Sequence, residues 1–111
     1  MDVTYRLVVE PEDIPVRGNA QASGDDAYDR QVEDAIIRRL DNGDVWAWAC
    51  VTVIAECEGF KGYDTLGGCS YADEEDFKRG PYYEDMCEVA RANLEADIAR
   101  TRERLARIGA S

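Results

Sequence analysis

Histidine is absent from the 111-residue chain, so the base that most often activates a nucleophile is missing from any chemistry it could run. Basic residues are few: 13 Lys and Arg stand against 24 Asp and Glu, a net charge of -11. A surface so poor in bases does not suit nucleic acid, whose phosphates call for clustered Lys and Arg, or an anionic membrane surface. Long apolar runs are missing too. The longest, Val45 to Ala55, falls far short of the ~20 residues that span a bilayer. The opening segment MDVTYRLVVE lacks the basic region and the longer apolar region of a secretory leader. The expectation is a soluble intracellular chain in which Cys50, Cys57, Cys69 and Cys87 stay reduced as buried, inert thiols. No pair of them has the C-x-x-C spacing of a zinc knuckle.

Cofactor motifs are equally scarce. Gly59, Gly62, Gly67 and Gly68 form neither G-x-G-x-x-G nor a Walker loop, so they read as hairpin glycines rather than a phosphate cradle. The run Asp73, Glu74, Glu75, Asp76 could attract Mg²⁺ or Ca²⁺, but the EF-hand spacing is missing and such a run more often starts a solvated helix. No cofactor, no metal and no enzyme activity are expected.

What is present is a fold pattern for one domain over residues 1–111. Val3 to Val9 alternates in the manner of a half-buried strand. Glu10 to Gly24, broken by Pro11, Pro15, Gly18 and Gly24, reads as a long loop, functional or mobile. Ser23 or Asp25 can cap a helix to about Leu40, with Val32, Ile36, Ile37 and Leu40 buried and Glu33 and Asp34 facing water. Asn42 and Gly43 end it.

The central stretch, Asp44 to Tyr71, reads as a hairpin. Val45, Ala47, Ala49, Val51, Val53 and Ala55 lie on one face of its first strand, and Trp46, Trp48, Cys50, Thr52 and Ile54 on the other. Core burial is the expected fate of at least one tryptophan; exposed beside charge, the pair would serve a protein interface. Glu58 to Gly62 is expected to form a turn of the longer kind, and Tyr63 to Tyr71 the returning strand, with Gly67 and Gly68 marking a bulge or a close approach. After Pro81 a helix runs from about Tyr82 to Ile108. At ~1.5 Å per residue it is longer than so small a domain is wide, so residues 99–111 are expected to project. The predicted class is α+β, β-α-β-β-α, a three-stranded antiparallel sheet with two helices on its small-residue face.

Charge divides along the chain: residues 1–90 hold 21 acids and 8 bases, residues 91–111 hold 3 acids and 5 bases. Asp73, Glu74, Glu75, Asp76, Glu84, Asp85 and Glu88 cluster near helix starts in greater number than capping requires. Gathered on one side, they would present carboxylates as a duplex presents phosphates and compete for a Lys/Arg channel. They are the candidate partner-binding residues, and neutralising Asp73 to Asp76 is expected to leave the fold intact. Trp46, Trp48, Ile98, Leu105 and Ile108 are the candidate homodimer interface, the basis of a second reading as a structural or assembly module.

PVRGNAQASGDD (15–26), GDVWAWACVTV (43–53), YDTLGGCSYADEEDF (63–77) and YYEDM (82–86) together resemble a family of small bacteriophage and prophage proteins. The resemblance covers the chain to about Leu94 and implies a setting, the cytoplasm of a bacterial host. In that setting small acidic proteins resemble inhibitors of the anti-CRISPR or anti-restriction kind; joined to the acid excess and the absent histidine, this gives the expected role of a non-catalytic inhibitor that occupies a basic surface of a nucleic-acid-binding host complex.

Overall fold

The structure, a computed structural model, describes residues 1–109. The last two positions of the expected projecting end lie outside the described residues. In chain order the elements are β1 (Thr4–Pro11), α1 (Asp26–Asp41), a 3₁₀ turn (Val45–Ala47), β2 (Ala49–Cys57), β3 (Phe60–Cys69), α2 (Glu74–Arg79) and α3 (Tyr83–Gly109). The strands form one antiparallel sheet in the order β1-β2-β3, and the class is α+β. The short helix α2 is an addition to the expected order. Two compact units divide the chain: one holds Met1–Val8, Thr52–Thr65 and the chain from Pro81, the other Val9–Val51 and Leu66–Gly80.

The first unit is built on the hairpin end and α3. Its turn is two residues long, Glu58 at φ 50° and Gly59 at φ 83°, and not the five-residue turn expected. Positive φ at both central positions gives a turn whose twist matches the flanking strands, which is why so short a loop suffices. The turn fixes the register: Thr52 lies opposite Thr65, their hydroxyls 3.0 Å apart, and Ala55 therefore lies opposite Gly62. Gly62 is buried, and a Cβ there would run into the Ala90 carbonyl oxygen and the Leu94 backbone nitrogen. The helix backbone thus rests directly on the strand. Met86, Ala90 and Leu94 are the buried residues of α3, and Asn93 Nδ2 donates to the Tyr63 carbonyl at 2.8 Å.

In the second unit the first part of the expected central strand is not a strand. Gly43 turns left-handed at φ 83°, and Asp44 then caps the chain by accepting the Trp46 N–H at 3.1 Å. Ala47 and Trp48 donate back to Asp44 and Val45 carbonyls at 3.1 and 3.3 Å. A short polar side chain that captures a nearby N–H diverts the backbone from the ladder, so β2 starts only at Ala49. Trp46 and Trp48 consequently do not share a sheet face.

Trp48 is 5% exposed and packs with Val16, Ile36 and Ala47; its indole N–H donates to the Ile14 carbonyl at 2.6 Å. Trp46 is half-buried, its ring 5.7 Å from that of Phe77. β1 takes up Glu10 and Pro11, so the expected loop shortens to 12–24; Val16 brings it into this core, and Glu33 ties it down. The Glu33 carboxylate is buried, not solvated as expected; it accepts from the Gly18 N–H at 2.7 Å and from Arg17 Nη1 at 3.2 Å. A carboxylate survives burial when its lone pairs are satisfied in this way. Asp25 caps α1 by accepting from Ala27 and Tyr28 N–H groups. Farther along, Gly68 turns left-handed at φ 64° and donates its N–H to Glu12 Oε2 at 2.9 Å, the backbone irregularity expected of the glycine pair.

Candidate functional site

The seven candidate acids fall into two groups, one in each unit. Asp73 to Asp76 form the start of α2. Asp73 accepts the Asp76 N–H at 2.9 Å, and Asp76 in return accepts the Ala72 N–H at 2.9 Å, a reciprocal cap of the kind that closes a helix start. Phe77, fully buried and edge-on to Tyr71 at 5.0 Å, anchors the short helix. Glu74 pairs with Lys78 at 3.3 Å, and Asp76 lies 3.8 Å from Arg79. Two of the four acids are therefore structural. Neutralising the whole run would remove both capping carboxylates, at a cost of about 1 kcal/mol each. Glu75, exposed and in no ion pair among the described residues, is the member of this group that faces outward unengaged.

Glu84, Asp85 and Glu88 occupy the first turns of α3, all exposed. Glu84 and Glu88 are four residues apart and share one helix edge, where like charges repel. Among the described residues, no base pairs with any of the three. They gain from the positive end of the helix, but one or two acids would meet that need.

A third acidic grouping escaped the sequence reading. Glu10, Glu12 and Asp13 all act on Cys50, whose thiol burial chiefly pushes up and whose pKa these acids raise further. The acids are readable as residues, but their convergence depends on how β1 leads into the loop. Cys69 is pushed up to about 11, first by burial, then by Cys50 and Glu12. Of the four thiols only Cys69 is buried; Cys50, Cys57 and Cys87 are half-buried, which corrects the expectation of four buried thiols.

Because the thiolate is the nucleophile, Cys69 is expected to resist iodoacetamide near neutral pH and to label only as pH approaches 11. Cys57, half-buried at the hairpin end, is expected to label before it. Peptide mass spectrometry across a pH series reads this directly, and early labelling of Cys69 would contradict its burial.

The candidate dimer residues are also separated. Trp48 is withdrawn from any interface by its burial, and Trp46 leans on Phe77. Ile98 is half-buried, whereas Leu105 and Ile108 are 61% and 69% exposed. Among the described residues no three His, Cys, Asp or Glu side chains gather as metal ligands, and no helix is long and apolar enough to cross a membrane. Comparison of the chain with models of protein families, with curated proteins and with solved structures finds no match.

Proposed function

We propose that the chain is a non-catalytic inhibitor that acts in the cytoplasm of a bacterial host, placing exposed carboxylates on a basic nucleic-acid-binding surface of a CRISPR or restriction complex. The observation that supports this reading is the surplus of exposed acids outside any ion pair among the described residues, Glu75, Glu84, Asp85 and Glu88 among them, on a chain of net charge -11. Carboxylates beyond the one or two that a helix start uses repel one another on the surface; a Lys/Arg-lined partner would turn that repulsion into attraction and speed encounter.

The test is the quadruple variant Glu75→Gln, Glu84→Gln, Asp85→Asn and Glu88→Gln, which spares the capping pair Asp73 and Asp76. Four solvent-facing contacts at roughly 0.5–1 kcal/mol each predict a loss of affinity of about two orders of magnitude. Phage plating on bacteria with active immunity should show protection restored, with the melting temperature of the variant unchanged or raised. Undiminished inhibition by a folded quadruple variant would remove the electrostatic mechanism.

A further inference from the structure

We propose that the groove between the hairpin end and the C-terminal half of α3 is the docking site for the same region of a second copy of this chain. The groove measures about 510 Å³, within the size range of formed ligand pockets. One wall carries Asp2, Glu58 and Phe60, the other Ile98, Arg102 and Leu105. Apolar positions on α3 recur at Leu94, Ile98, Thr101, Leu105 and Ile108, spacings of four and three that make a continuous seam. Leu94 is fully buried, Ile98 half-buried, Leu105 and Ile108 exposed. The seam therefore runs out from under its own cover while still written for burial.

Charge selects the occupant. The hairpin wall is acidic through Asp2 and Glu58, and the helix wall is basic through Arg102. A partner of uniform charge would gain on one wall what it lost on the other. A two-fold rotation sets the acidic wall of each copy against the basic wall of the other, which is the self-complementarity an isologous contact requires. The same division is visible in the whole chain, whose last 21 residues alone carry more bases than acids. The exposed Leu105 and Ile108 supply the apolar insert and Phe60 and Ile98 the seat, both on every copy. This inference stands apart from the inhibitory reading, since it uses none of the residues assigned to the host complex.

Sedimentation equilibrium of the full chain should show a dimer that weakens with salt. Leu105→Glu should raise its dissociation constant at least tenfold. Glu58→Lys and Arg102→Glu should each do the same, and the double variant Glu58→Lys/Arg102→Glu should recover an affinity near that of the parent. Should Leu105→Glu disturb the helix, which circular dichroism reads, the charge-swap series decides by itself. A chain still monomeric at ~1 mM, a dimer indifferent to Leu105→Glu in a folded variant, a double swap that rescues nothing, or a groove that takes up only a different protein would each overturn the proposal.

Discussion

Replacing Gly62 by alanine should destabilise the protein by about 3 kcal/mol, at the upper end of what overpacking costs, and lower its melting temperature by roughly 10–20 °C. The Cβ has nowhere to go. Its neighbours would be the Ala90 carbonyl oxygen and the Leu94 nitrogen and Cα, all backbone, so no side-chain rotation relieves the clash and α3 must lift from β3. Gly68→Ala is the control. It carries the penalty of a left-handed residue, roughly 1–2 kcal/mol, but its nearest contact is the edge of the Trp48 ring at 3.5 Å, ordinary van der Waals distance. Thermal melts of the two variants should therefore separate clearly, with Gly62→Ala the lower. Because α3 carries Glu84, Asp85 and Glu88 as well as the Leu105 seam, Gly62→Ala should also impair inhibition and dimer formation together. Equal melts for the two glycine variants would mean that the helix is not seated on the strand.

That glycine shows where a sequence stops being readable. A strand glycine suggests a close approach, yet nothing local tells Gly62, pressed under a helix, from Gly67, beside the Glu12 carboxylate. The regular elements were legible because each follows its own periodicity. The stripe Val32, Ile36, Ile37, Leu40 marks α1, and Met86, Ala90, Leu94 marks α3. Val45 to Trp48 alternated as a strand does, but hydropathy does not register a hydrogen bond, and the Asp44 carboxylate on the Trp46 N–H decided the backbone instead. Glu33 looked solvated because its partners Arg17 and Gly18 lie 16 and 15 residues away, in a loop whose return no local rule announces. The acids of the candidate site were readable as a surplus. Their division into structural and unengaged members was not, since Asp73 and Asp76 are distinguished from Glu75 only by which backbone N–H groups happen to face them.

Trp48→Ala should be the other severe substitution, costing about 3–5 kcal/mol as large-to-small changes of buried aromatics do, and its effect should be loudest in the loop rather than at the site itself. The indole holds the loop in two ways. Its N–H bonds the Ile14 carbonyl at 2.6 Å, and its ring packs with Val16 in the core cluster, while the Trp48 carbonyl accepts the Glu12 N–H at 3.2 Å whatever the side chain. Truncation empties the seat of Val16 and leaves the Ile14 carbonyl without its donor. Arg17, next to Val16 and fastened to Glu33 and Asp34, is then the natural reporter, since trypsin cleaves after it only when the loop opens. Cleavage at Arg17 should rise by a factor on the order of ten in Glu33→Ala, where a backbone N–H and an arginine lose one buried partner. It should rise further in Trp48→Ala. Trp48→Phe, which keeps most of the ring but cannot donate, should fall between the parent and alanine. If tryptic cleavage at Arg17 is the same in all four proteins, the loop is not held by Trp48 and Glu33, and the core of the second unit must be sought elsewhere.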